Sequence, residues 1–149
     1  MESLFKTAWL PAQTQSYLPA APLILMFAIA VISKLSDYKL SEREMLAQVF
    51  PDFIALQLAW LVPLSEIITI LLLIFQSTQL YGFYAAAFLL TAFSIYIALG
   101  LLGAYSERPC PCAGIFKHVS YKVHLVINLL FLIPALIGIE INYDWLGLL

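Results

Sequence analysis

The sequence predicts an all-α protein, an integral membrane four-helix bundle, and three observations carry that expectation. Of 149 residues, 63% are hydrophobic and only 11% charged, whereas a soluble domain carries about 25% charged residues. A chain this short is rich in surface and has too little interior to hide so much apolar side chain, so the surplus faces lipid or partner subunits. Four apolar runs each approach the roughly 20 residues that a spanning helix needs. The net charge of −2 supplies no field for nucleic acid. Membrane lipid is the expected surrounding, with no nucleic-acid partner.

The first run has no charged residue from Thr7 to Ser33, and its span is expected at 17–35. Lys6 and the long apolar stretch read as a membrane span and not as a cleaved signal, because further spans follow. Pro19 and Pro22 fall near the expected beginning, where a missing amide donor matters least. Trp9 and Tyr17 are candidate interfacial anchors. The following segment, KLSDYKLSEREMLAQVFPD, is the one extended charged stretch. It predicts a short amphipathic helix with Leu40, Met45, Leu46 and Val49 on one side and a Ser41–Glu44 capping box. Its expected role is a connector lying on the membrane surface.

Between Asp52 and Glu107 the only charged residue is Glu66. That length holds two spans, expected at 53–75 and 81–104, with Gln76–Gln79 as the polar reversal between them. Ala87, Thr91, Ser94 and Ala98 predict a small, lightly polar packing face on the third span. The fourth span is expected at 119–139, with Pro134 as a kink point. One bundle of four helices at these positions, forming a single membrane domain over 1–149, accounts for the whole chain.

Between the third and fourth spans lies the insert ERPCPCAG, with both cysteines of the chain. Pro109 and Pro111 restrict the backbone around Cys110 and Cys112 and disfavour helix before each proline. Two thiols one residue apart can form a strained, readily reduced disulfide or share a metal. Arg108 can stabilise a thiolate. Redox use, metal ligation and simple structural use in a turn all remain open at this point. Two thiols do not complete a tetrahedral site, and His118 and His124, six apart, share no i,i+4 face. No metal is therefore expected.

His124 and Asn128 are four apart and share one helix face, which with Lys122 makes a polar mouth beneath the insert. That mouth suits a proton relay, a contact for a quinone-like head group or partner protein, or plain interhelical hydrogen bonding. Glu66 must face the bundle, take a proton or find a partner; Pro63 and Thr69 share its face, and Lys34 and His124 are the candidate partners. Phosphate-cradling glycine loops, HExxH, a nucleophile elbow and CxxCH are all missing from the sequence.

Counting lysines and arginines, the first connection carries Lys34, Lys39 and Arg43 and the last carries Arg108, Lys117 and Lys122, against Lys6 on the other side. The positive-inside rule then puts both termini outside and the cysteine insert in the cytoplasm. The expected location is the bacterial inner membrane.

ISKLSDY at the end of the first span, PLSE around Pro63 and Glu66, and CPCAG before the last span together resemble the MauE branch of the DoxX-like family of small four-helix membrane proteins. The resemblance runs from about Ile24 to Ile139. It implies a role linked to methylamine utilisation, in maturation of methylamine dehydrogenase and its disulfides. It also implies electron exchange between a thiol pair, here Cys110 and Cys112, and a thioredoxin-like or membrane partner, with membrane quinone as a candidate acceptor and Glu66 as the matching membrane carboxylate. A common CxCFG form departs here to Cys112-Ala113-Gly114. Disulfide maturation would suit an external thiol pair, which conflicts with the charge count. The alternative from another class is a non-catalytic structural membrane subunit that stabilises a larger assembly.

Overall fold

The structure, a computed structural model, describes residues 12–104 and 120–147. Five helices occupy the described residues: α1 (Ala12–Ser36), α2 (Tyr38–Leu46), α3 (Asp52–Ile74), α4 (Gln79–Leu101) and α5 (Tyr121–Gly147). All but α2 are long and apolar enough to cross a membrane. The chain is all-α over these residues and forms a four-helix transmembrane bundle. Large apolar side chains such as Leu18, Trp60, Phe88 and Leu130 point outward, the arrangement expected where lipid replaces water as solvent.

The four long helices pack in the ring α1–α3–α4–α5, with α4 against α5 the most extensive pair. Each neighbour runs antiparallel to the next. Tyr17 near the start of α1 donates to the carbonyl of Ile74 at the end of α3 at 3.1 Å. Gly82 near the start of α4 lies against the backbone of Leu72 and Leu73, and Gly138 late in α5 lies under the ring of Phe83. Glycine is required at both contacts: an added Cβ would stand 2.8 Å from Leu73 N or 2.2 Å from Phe83 Cε1. Close helix approach through small residues is how bundles pack in lipid.

Sequence dictates each buried face through helical spacing. On α1 it is Ser16, Ala20, Leu23, Phe27, Val31 and Lys34. On α3 it is Ala55, Ala59, Pro63, Glu66, Thr69 and Leu73, so Pro63, Glu66 and Thr69 do share a face. The main apolar core gathers Leu23, Phe27, Leu73, Phe83, Ala86, Leu90 and Ala135. A second cluster seats Met45 of α2 on Ala55 and Ala59, which holds α2 against the first half of α3.

Several local expectations are corrected. The first helix already includes Ala12, so Pro19 and Pro22 lie well inside it. Each proline withholds the amide that would bond four residues back, a loss that membrane helices tolerate through neighbouring contacts. The cap of α2 is Asp37, whose carboxylate accepts from Leu40 N at 3.1 Å, and not Ser41 of the Ser41–Glu44 box. Asp37 wins because the helix starts one residue after it, leaving Ser41 inside the helix. Val49 lies beyond α2 and is 60% exposed. Gln79 is the first residue of α4 and fully buried, its amide donating to the carbonyl of Leu73 at 3.1 Å. Thr78 Oγ1 donates to the carbonyl of Leu72 at 3.1 Å, so the reversal satisfies carbonyls left open at the end of α3.

Of the expected Ala87–Thr91–Ser94–Ala98 face, Ser94 is buried and Ala87 and Ala98 are half-buried, Ala87 against the core. Thr91 is exposed and returns its hydroxyl to Ala87 O at 2.7 Å. The buried positions are Gly82, Phe83, Ala86, Leu90, Ser94, Ile97 and Gly100. Large residues on that face fit small ones opposite, so residue size alone misidentifies the seam. The helix α5 passes through Pro134 without a break and runs 27 residues.

Candidate functional site

Five elements order the polar residues at one end of the bundle. That end holds the C-terminus of α1, α2, the N-terminus of α3, the C-terminus of α4 and the N-terminus of α5. The cysteine insert follows α4 and precedes α5 in the chain. Cys110, Cys112, Arg108 and His118 lie outside the described residues.

The centre of the site is an ion pair between helices. Lys34 Nζ donates to Glu66 Oε1 at 2.6 Å, and the two side chains are 3% and 2% exposed. Lys34 sits two residues before the end of α1, and a helical side chain leans toward its own N-terminus, which turns the ammonium inward toward α3. Phe93 of α4 places its ring 5.9 Å below the same ammonium, a cation–π distance. One donor, one carboxylate oxygen and one aromatic face thus tie α1, α3 and α4 together. Burying a charge without such partners is strongly unfavourable.

The second carboxylate oxygen of Glu66 has no hydrogen-bond partner among the described residues, and neither has Nδ2 of Asn128. Both residues line one cavity of about 40 Å³, bordered also by Met26, Phe27, Ile29 and Ala30 of α1, Leu90 and Phe93 of α4, and His124 and Ile127 of α5. His124 and Asn128 are both buried on α5 and both border the cavity, as their i,i+4 spacing predicts. Lys122, the third member of the expected polar mouth, is exposed. It does not join the cavity.

Of the two expected partners for Glu66, Lys34 makes the ion pair and His124 shares the cavity. Phe93 escaped sequence reasoning, because an aromatic inside an apolar run carries no polar signal. A further contact also escaped it: Tyr96 on α4 donates its hydroxyl to Gln48 Oε1, and its ring stacks on Phe50 at 6.0 Å. This pins the link between α2 and α3 to α4 beside the polar site.

The cavity decides what fits. A water needs about 10–15 Å³ of such space, whereas a cavity that admits benzene measures about 150 Å³. The space beside Glu66 therefore suits water-sized groups.

Fold and site together define a class: a small helical membrane protein whose bundle is cross-braced by a buried lysine–glutamate pair next to a small cavity that Glu66, His124 and Asn128 also border. The chain belongs to the MauE family, since the family model described as methylamine utilisation protein MauE matches residues 13–140. The matched segment contains Lys34, Glu66, Cys110, Cys112, His124 and Asn128. Comparison with curated proteins and with solved structures gave no match.

Proposed function

We propose that this protein is a membrane thiol–disulfide redox or maturation component, working through Cys110 and Cys112. The family match carries the reading, because both cysteines lie within residues 13–140 on the one long polar insert of the chain. In the oxidised state a partner's thiolate attacks the Cys110–Cys112 disulfide and forms a mixed disulfide; a second partner thiol resolves it. Two electrons and two protons pass from the partner's dithiol to the cysteine pair, and an oxidised thioredoxin-like or membrane partner then takes them up, is itself reduced, and returns the pair to the disulfide.

Glu66 and His124 support this chemistry as a proton relay with Asn128 as a hydrogen-bonding support beside them, and Arg108 favours the thiolate next to it. The buried placement of these three residues at the end to which the insert connects supports that role. The bacterial inner membrane remains the proposed location, with both termini outside and the insert cytoplasmic on lysine and arginine distribution.

The test is trapping of the cysteine state in membranes by thiol alkylation, with and without prior reduction. A redox pair gains two labels only after reduction, and a single Cys110→Ser or Cys112→Ser variant accumulates a mixed disulfide with its partner. Two freely reactive thiols under oxidising and reducing conditions alike, with no trapped adduct in either variant, would refute the reading.

A further inference from the structure

We propose that the cavity between Glu66 and Asn128 is an internal hydration site: bound water, and not a cofactor ring, is its ligand. Three independent features converge on it. Glu66 Oε2 and Asn128 Nδ2 are both buried without a hydrogen-bond partner among the described residues, and buried polar groups are otherwise almost always satisfied. Both residues border the same space, of about 40 Å³. A water needs at least about 10–15 Å³ of such space and takes about 30 Å³ in the liquid, so the cavity has room for roughly one to three waters.

The chemistry of the wall matches. A carboxylate oxygen accepts and an amide nitrogen donates, so one water can donate to Glu66 Oε2 and accept from Asn128 Nδ2, with further waters extending toward His124. Buried waters typically make two to four such bonds. A water there also satisfies the carboxylate oxygen that burial leaves without a donor among the described residues. The remaining wall, from Met26, Ala30 and Phe93 among others, is apolar and keeps the water confined to the polar end.

The site stands on geometry alone and does not depend on the thiol chemistry.

The test is X-ray radiolytic labelling of the full chain in lipid nanodiscs, which oxidises side chains next to bound water. Met26 borders the cavity, whereas Met45 is 4% exposed within the apolar cluster on α3 and serves as the dry reference in the same molecule. Met26 is expected to be labelled several-fold faster than Met45. Asn128→Leu, which removes the donor, and Ala30→Val, which fills space from α1 and leaves every polar group in place, are each expected to bring Met26 down toward the Met45 rate. Cys110→Ser and Cys112→Ser are expected to leave both rates unchanged, so failure of the thiol reading would not touch this one. Equal slow labelling of Met26 and Met45 in the parent protein overturns the proposal. So does fast labelling of Met26 that neither Asn128→Leu nor Ala30→Val reduces.

Discussion

Replacing Lys34 by methionine isolates what holds α1 to α3. At 2.6 Å, opposite unit charges attract by roughly 6 kcal/mol at an effective dielectric of about 20. Desolvation of the two ions opposes this by several kcal/mol each, so the pair contributes little net stability compared with a well-packed apolar pair. The single variant is different, because it leaves a carboxylate with neither oxygen satisfied by protein. Lys34→Met is therefore expected to destabilise the bundle by about 3–5 kcal/mol. Glu66→Leu is expected to cost less, since Lys34 is two residues from the end of α1 and can swing its ammonium outward along its flexible stem. The double variant is expected to return to within about 1–2 kcal/mol of the parent. Unfolding by sodium dodecyl sulfate in mixed micelles, followed by far-ultraviolet circular dichroism, measures all four corners of the cycle. If the two single losses simply add in the double variant, within about 0.5 kcal/mol, the ion pair is not the brace described above.

Gly82→Ala places a methyl 2.8 Å from the backbone nitrogen of Leu73; backbone cannot rotate away, so α3 and α4 must separate, at about 1–3 kcal/mol in the same unfolding assay. Gln79→Leu keeps the volume but strips the Leu73 carbonyl of its donor, with an expected loss of about 1–3 kcal/mol. Asp37→Ala removes the cap of α2 and is expected to lower stability by about 0.5–2 kcal/mol, with faster amide exchange confined to α2. Impermeant maleimide added from the cytoplasmic face is expected to label Cys110 and Cys112 after reduction, and labelling only from the opposite face would reverse the proposed orientation.

The number of spans and the special status of Glu66 were readable because in lipid every charge stands out against apolar sequence. His124 and Asn128 were readable for a related reason: two polar residues at helical spacing must face something other than hydrocarbon. Lys34 could be named only as a candidate, since its position at the end of a span equally suits an interfacial lysine. Fold geometry decides between the two by leaning its side chain inward. Phe93, Tyr96 and the glycine seats at positions 82 and 138 stayed hidden, because their significance depends on which apolar surface meets which. Gln79 was misread for a similar reason. A glutamine among polar neighbours looks like turn, and only the close return of α4 onto α3 makes it a buried cap.

The brace between Lys34 and Glu66 also has a bearing on biosynthesis. A carboxylate at the centre of an isolated inserting helix is penalised, and Glu66 lies well inside α3. Lys34, in the last turn of α1, can hold its ammonium at the interface until α3 arrives, and the two are 32 residues apart in the chain. An α1 already in place therefore offers α3 the partner its carboxylate needs, and the two settle as a hairpin with α2 between them.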